Sequence, residues 1–127
     1  MTPNSILVVD DDDSVRNMLC VVLREEGYAA VGAADGLEAL DRMRKDPPSL
    51  VFVDLMMPRM DGEHLIRRMH EEDRLSRIPV AIMSAQTTVS AGTLAWARER
   101  LTKPVELDDV LSVAHRYVRA TPPGRRS

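Results

Sequence analysis

Cysteine and long apolar runs are both scarce in this sequence, and each absence excludes a class of protein. The chain has one cysteine, Cys20, so it cannot form an internal disulfide. The apolar run at its N-terminus is too short for a signal peptide, and no stretch reaches the roughly 20 apolar residues of a membrane-spanning helix. We therefore expect a cytoplasmic protein that does not contact a membrane.

The sequence also lacks histidine and cysteine at the spacing of a metal site. Its three histidines are scattered along predicted helices and are interpreted as surface or boundary residues: His64, His70 and His115. The formal net charge is −3, which argues against direct binding to nucleic acid. Basic residues do cluster at Arg98, Arg100 and Lys103, and again at 125–126, but clusters of this size are usually solvated surface.

The apolar content that is present suffices for one compact domain. Hydrophobic residues make up 44% of the 127 residues and charged residues 29%, a balance typical of soluble globular domains. We expect the domain to comprise residues 1–120. Residues 121–127 are polar and contain proline and glycine, so we expect them to form a flexible C-terminal tail.

Short runs rich in β-branched residues alternate with helical patterns along the chain. The predicted strands are 5–9, 28–33, 49–54, 78–85 and a short one at 99–104. Helices are predicted at 14–27, at 35–48, from 61 onward, as a short helix within 86–98, and at 106–120. Such an alternation of strands and helices predicts an α/β fold, a doubly wound five-stranded parallel sheet with helices on both faces.

The helical spacing of apolar residues predicts the side of each helix that faces the sheet. The predicted inward residues are Val15, Met18, Leu19, Val22 and Leu23; Leu37, Leu40 and Met43; Leu65, Ile66 and Met69; and Leu107, Val110, Leu111, Ala114, Tyr117 and Val118. Cys20 lies beside the first of these faces, so we expect it to pack there rather than to react. Asp12 or Asp13 can cap the first helix, and Gly27 can end it.

Polar side chains stand at the ends of four predicted strands: Asp10 and Asp11, Asp54, Ser84 and Lys103. The carboxyl ends of parallel strands share one edge of the sheet, where the functional crevice of such folds lies. Three close carboxylates repel each other, and a hard divalent cation such as Mg²⁺ would offset that repulsion. The pattern therefore indicates a magnesium site.

Once a metal offsets its charge, Asp54 can act as a nucleophile toward phosphorus. Transfer of a phosphoryl group depends on positioning and charge stabilisation, for which the Lys103 ammonium and the Ser84 hydroxyl are suited. Taken singly, each residue has an ordinary interpretation as a solvated turn, a helix cap or a polar strand end. If all the residues meet at one edge of the sheet, several coincidences would be needed for every one of these ordinary interpretations to hold.

Four segments resemble the receiver domain of two-component response regulators: ILVVDDDDSVR, LVFVDLMMPRMDG, AIMSAQ and LTKP. The resemblance covers about residues 5–117. It implies a flavodoxin-like sheet with the strand order 2-1-3-4-5. It also implies a signalling module that catalyses only its own phosphorylation and dephosphorylation and is not otherwise an enzyme.

The resemblance further implies how the chain would hold Mg²⁺. Asp11 would bind the ion directly, and Asp10 would bind it through water. Asp54 and the backbone carbonyl of Met56 would be the remaining protein ligands.

The phosphoryl chemistry is implied in the same way. Asp54 would accept a phosphoryl group from a phosphohistidine of a sensor histidine kinase or phosphotransfer protein. Ser84 would hydrogen-bond the phosphoryl group and move on activation, Lys103 would pair with a phosphoryl oxygen, and Pro104 would follow a cis peptide bond. Phosphorylation would change binding to a downstream protein, with the receiver acting as a monomer or a weak dimer.

The sequence departs from the family between the fourth and fifth strands. Arg100 stands three residues before Lys103, where an aromatic switch residue is usual, and Trp96 stands where a small residue is usual. The segment is also about one helical turn short. We expect Arg100 to stay outside in both activation states, because burying its charge unpaired would be costly. With Arg98 it would add to a basic patch. A partner protein would recognise charge and the ordering of the loop near 86–92.

Three other interpretations stay open on the residues. A Mg²⁺-dependent phosphatase that forms an aspartyl-phosphate would use the same groups, but it needs a substrate pocket or cap for which the loops here are short. A receiver-like docking module working without phosphorylation would be expected to have lost an acidic residue or the lysine, and none of them is lost here. A flavodoxin-like nucleotide binder would need a phosphate-cradling loop after the first strand, where four aspartates stand.

Overall fold

The computed structural model describes residues 4–57, 59–85 and 89–118. Its elements in chain order are β1 (Ser5–Val9), α1 (Asp13–Glu25), β2 (Ala29–Ala33), α2 (Gly36–Lys45), β3 (Leu50–Asp54), α3 (Gly62–His70), α4 (Asp73–Ser76), β4 (Val80–Ser84), α5 (Ala91–Trp96), β5 (Glu99–Thr102) and α6 (Leu107–Tyr117). The predicted tail, 121–127, lies outside the described residues, as do 86–88 of the predicted loop after the fourth strand.

The five strands form one parallel sheet in the order β2-β1-β3-β4-β5, which confirms the predicted fold. Val53 of β3 pairs with Val9 of β1 on one side and with Ile82 of β4 on the other. This register aligns the carboxyl ends of the three central strands. The residues that follow those strands therefore emerge together at one edge of the sheet.

Apolar side chains fill both faces of the sheet. On one face, α1 and α6 pack over Ile6, Val8 and Phe52. On the other face, α2, α3 and α4 pack over Leu7 and Val51. The three central strands are buried along their whole length, as their continuous apolar runs predict, whereas the edge strands β2 and β5 are partly exposed.

Three of the predicted inward residues point outward instead: Met18 (42% exposed), Leu37 (47%) and Leu107 (37%). Successive residues of a helix point about 100° apart. The buried residues of α1 are Leu19, Cys20 and Leu23, so the buried arc is centred away from Met18. Leu37 lies off the buried arc of α2 in the same way, and Leu107 is the first residue of α6. The other predicted inward residues are buried or partly buried.

The helix boundaries follow local capping. Asp12 caps α1 by accepting hydrogen bonds from the backbone N–H groups of Ser14 and Val15. Gly27, beyond the end of α1, adopts a φ of 99°, a conformation that favours glycine. The short helix α4 was not predicted, whereas the helix between β4 and β5 is short, as predicted, with six residues in α5. Among the described helices, none combines the length and the apolar character needed to cross a membrane.

Candidate functional site

The carboxyl edge of the sheet brings together the polar residues predicted from the strand ends. Asp10 directly follows β1, Asp54 and Ser84 are the last residues of β3 and β4, and Lys103 directly follows β5. Asp10, Asp54 and Ser84 are buried, while the Lys103 side chain is partly exposed. Asp11 points to solvent at the rim of the same crevice.

Three carboxylates in this crevice form a cluster that fits a divalent cation. One oxygen each from Asp10, Asp11 and Asp54 lies within 4.8 Å of the other two. All the donors are hard oxygen ligands, which is the preference of Mg²⁺. The exposed side at Asp11 leaves room for the waters that Mg²⁺ retains and for a phosphoryl oxygen. The donor set and its open side therefore fit the predicted magnesium site.

Lys103 links the two buried carboxylates. Its Nζ lies 2.9 Å from Oδ2 of Asp10 and 3.2 Å from Oδ2 of Asp54. Burial lowers the pKa of Lys103, but the hydrogen bonds and charges of Asp10 and Asp54 outweigh that effect and raise the pKa above its usual value. The ammonium is therefore held in its charged form beside both carboxylates.

Asp54 is harder to ionise than an ordinary aspartate. Burial is the largest cause and, with the nearby charge of Asp10, raises its pKa from 3.8 to about 6. The backbone N–H of Met56, 3.1 Å from Oδ1 of Asp54, and the Lys103 ammonium act in the opposite direction. In the metal-free protein, ionised Asp54 is thus an unfavourable state that a bound cation would relieve.

The turns around the site hold the two buried carboxylates in place. The backbone N–H of Asp12 donates to Oδ1 of Asp10 at 2.9 Å. At the β3–α3 turn, a Cβ added to Gly62 would lie 2.5 Å from the carbonyl oxygen of Asp54. A residue larger than glycine would collide with the backbone there, so Gly62 allows the start of α3 to lie directly against the end of β3.

The other predicted site residues lie where the strand pattern places them. Lys103 donates its backbone N–H to the Ser84 carbonyl at 3.0 Å, and the Lys103–Pro104 peptide bond is cis. Met56 follows Asp54 in the turn after β3 and exposes 61% of its surface. The roles of Ser84, Met56 and Pro104 in phosphoryl transfer and metal binding stay predictions.

Arg16 contacts this site, although the sequence reasoning gave it no role. Its Nη1 donates to the carbonyl oxygen of Asp10 at 2.8 Å. The segment DDDDSVR contains the relevant pattern. Its arginine lies one turn into α1, from where a long basic side chain can reach back to the end of β1. The pattern alone does not distinguish that contact from an exposed arginine.

The structure also describes most of the segment between β4 and β5, where the sequence departs from the family. Arg98, just before β5, and Arg100, within it, are both exposed. That Arg100 stays outside after activation remains a prediction. Trp96, at the end of α5, stacks on His70 of α3, with ring centroids 4.2 Å apart. Thr93 of α5 is buried and donates to Glu63 of α3 at 2.7 Å. These contacts hold α5 against α3.

Known proteins share both the sequence pattern and the fold. The family model of the response regulator receiver domain matches residues 6–115. The response regulator MprA of Mycolicibacterium vanbaalenii is 39% identical over 124 residues, which are 95% of this chain and 53% of that relative. The chain thus spans about half the length of such relatives.

Solved structures give the same result. The chemotaxis response regulator CheY4 of Vibrio cholerae matches with a TM-score of 0.83 and 28% identity, covering 92% of this chain and 100% of that one. The receiver domain of the Francisella response regulator 1452 matches with a TM-score of 0.81 and 27% identity, covering 91% and 96% of the two chains. With its acidic cluster and Lys103 at the carboxyl edge of the sheet, the chain belongs to the response regulator receiver domain family.

Proposed function

We propose that this receiver accepts a phosphoryl group on Asp54 from a phosphohistidine of a sensor histidine kinase or phosphotransfer protein. The observation that carries the proposal is the position of Asp54. It shares a cluster of oxygen ligands with Asp10 and Asp11, and its Oδ2 lies 3.2 Å from Lys103 Nζ. A carboxylate placed between a cation site and a fixed ammonium suits attack on phosphorus.

The transfer exchanges one bond at phosphorus for another. An oxygen of Asp54 forms the new bond, and the bond from phosphorus to the donor imidazole nitrogen breaks, leaving its electron pair on that nitrogen. Mg²⁺ held by Asp10, Asp11, Asp54 and the Met56 carbonyl would offset the negative charge of the carboxylates and the phosphoryl oxygens. Lys103 Nζ, already beside Asp54, pairs with a phosphoryl oxygen once Asp54 carries the acyl phosphate.

Signalling follows from the change in charge at the end of β3. Ser84, the last residue of β4, donates its hydroxyl to the phosphoryl group and moves toward it. With arginine at position 100 and a short α5, a downstream partner reads charge on the surface of Arg98 and Arg100 together with the order of the segment 86–92. The receiver comprises residues 1–120 and acts as a monomer or weak dimer.

Phosphorylation by a small phosphodonor tests the proposal. With acetyl phosphate and Mg²⁺, the intact mass should rise by one phosphoryl group, and the rise should disappear when Mg²⁺ is chelated. Asp54→Asn should abolish labelling, whereas Asp41→Asn, which changes an exposed carboxylate on α2, should leave it unchanged. Equal labelling of parent and Asp54→Asn would refute the assignment of Asp54.

The aspartyl-phosphate phosphatase is the second candidate, and the same preparation tests it. The site groups are shared, so the discriminating feature is turnover of an added phosphomonoester. We expect the receiver to leave p-nitrophenyl phosphate unhydrolysed under conditions in which acetyl phosphate labels Asp54. Sustained release of nitrophenol that depends on Asp54 would favour the phosphatase instead.

A further inference from the structure

We propose that Arg16 is a positioning residue for the metal-binding turn after β1, and that Gly32 provides the space for its side chain. The inference rests on the proposed function, because it concerns Mg²⁺ held by Asp10, Asp11 and Asp54. Arg16 does not contact the cation in this account. It acts by fixing the backbone from which two of the carboxylates project.

The guanidinium of Arg16 holds the turn at two points. Nη1 donates to the Asp10 carbonyl oxygen at 2.8 Å, and Nη2 donates to the carboxylate of Asp13, the first residue of α1. The Arg16 side chain is only 17% exposed. A planar guanidinium that reaches both partners at once ties the end of β1 to the start of α1.

The Asp10 carbonyl determines the direction in which the next residue leaves the strand. That oxygen lies in the same rigid peptide plane as the backbone nitrogen of Asp11. The backbone N–H of Asp10 is already bound to the carbonyl of Ala33 in the neighbouring strand at 3.1 Å. Arg16 adds the second anchor, on the side of Asp10 that leads to Asp11. The two anchors together orient the exposed Asp11 carboxylate toward the cluster.

Gly32 explains how Arg16 can reach that carbonyl. A Cβ at position 32 would lie 2.8 Å from Cδ and 2.9 Å from Cγ of Arg16, so the arginine stem crosses β2 in the space that a side chain would occupy. Glycine within a strand is usually destabilising. Here its absent side chain leaves room for the stem. A larger residue must displace the stem, and we expect that shift to draw the guanidinium away from Asp10.

A simple charge effect predicts the opposite sign. A cation close to three carboxylates would repel Mg²⁺, so removing it would strengthen metal binding. If Arg16 positions the turn, its removal weakens metal binding because Asp11 loses its orientation. The direction of the change in Mg²⁺ affinity therefore separates the two accounts.

Titration calorimetry with MgCl₂ on the purified receiver provides the measurement. We expect Arg16→Met to bind Mg²⁺ about three- to tenfold more weakly. This loss is at or below the low end of the loss of metal affinity caused by replacing groups that contact metal ligands directly. Arg16→Lys should also weaken binding, because a single ammonium cannot hold both partners in the same geometry. Gly32→Ala should weaken binding in the parent but not in the Arg16→Met background.

Arg24 provides a matched control on the same helix. Its Nε donates to the carbonyl of Ala30 in β2 at 2.8 Å, a similar helix-to-strand contact far from the metal-binding turn. Arg24→Met should lower the melting temperature by about as much as Arg16→Met while leaving the Mg²⁺ affinity unchanged. Equal losses of affinity in both variants would mean that general destabilisation, and not positioning, is responsible.

Unchanged or tighter Mg²⁺ binding by Arg16→Met overturns the inference while leaving the proposed function intact. If the parent binds no Mg²⁺, the metal site of the proposed function is refuted as well. A second readout needs no metal: the N–H of Asp12 is bound to the Asp10 carboxylate. Its hydrogen exchange should be faster in metal-free Arg16→Met than in the parent, and an equal rate would also overturn the inference.

Discussion

Replacing Asp54 by asparagine should stabilise the metal-free receiver at neutral pH, even though it removes the group on which the proposed function depends. The substitution keeps the shape of the side chain and one oxygen, which can still accept from Met56 N–H, while an amide NH2 takes the place of the oxygen beside Lys103. It removes a negative charge that burial and Asp10 disfavour. The usual expectation, that changing a buried residue destabilises a protein, is therefore reversed here.

The size of the effect follows from the pKa of Asp54. In the unfolded chain the pKa is near 3.8, and in the folded protein it is about 6. The folded state therefore holds the proton more tightly, so ionisation of Asp54 reduces stability as the pH rises from about 4 to about 6. The full difference corresponds to about 3 kcal/mol. Because an amide differs from a protonated carboxyl in its donors, we expect a gain of about 1–3 kcal/mol.

Urea unfolding followed by circular dichroism in EDTA measures this directly. At about pH 7.5 the Asp54→Asn variant should exceed the parent in its free energy of unfolding, and at about pH 4.5 most of the gain should disappear. Asp41→Asn serves as the control, because Asp41 pairs with Lys45 on the surface and should change stability by less than about 0.5 kcal/mol. A variant that is less stable than the parent at about pH 7.5, or a gain that does not depend on pH, would refute the reasoning.

Three further predictions concern other parts of the fold. Asp11→Ala should leave the metal-free melting temperature unchanged or higher, while reducing the rise that MgCl₂ produces in the parent; a large metal-free loss would mean that Asp11 is structural. Gly62→Ala should destabilise the receiver by about 2–4 kcal/mol in urea unfolding, because its Cβ would meet the Asp54 carbonyl; an unaffected variant would contradict that packing. Thr93→Val should cost about 1–2 kcal/mol and speed hydrogen exchange in α5, because Glu63 loses one of its hydrogen-bond partners; unchanged exchange would show that the contact does not hold α5.

Much of the fold and of the candidate site could be predicted because both depend on short patterns. β1, β3 and β4 are continuous apolar runs that end in polar residues, and parallel pairing then brings Asp10, Asp54 and Ser84 to one edge whatever the details of packing. The magnesium prediction follows from residue types, since three close carboxylates repel each other and a divalent cation would offset that repulsion.

The parts that were missed depend on three-dimensional detail. Met18 and Leu37 satisfy helical spacing, but the arcs of α1 and α2 that the sheet buries are centred away from these two residues. The contact from Arg16 to Asp10 depends on the gap at Gly32 in a different strand, which no local pattern reveals. The short helix α4 spans only four residues, too few for a periodic signal.

Mapping the phosphorylated residue shows whether Asp54 is the phosphoacceptor. The receiver is treated with acetyl phosphate and Mg²⁺, the acyl phosphate is reduced with borohydride to homoserine, and the modified residue is identified by peptide mass spectrometry. We expect homoserine to appear at Asp54 alone, and only when Mg²⁺ is present. Modification at Asp10, Asp11 or another carboxylate in place of Asp54, or equal modification in EDTA, would contradict it.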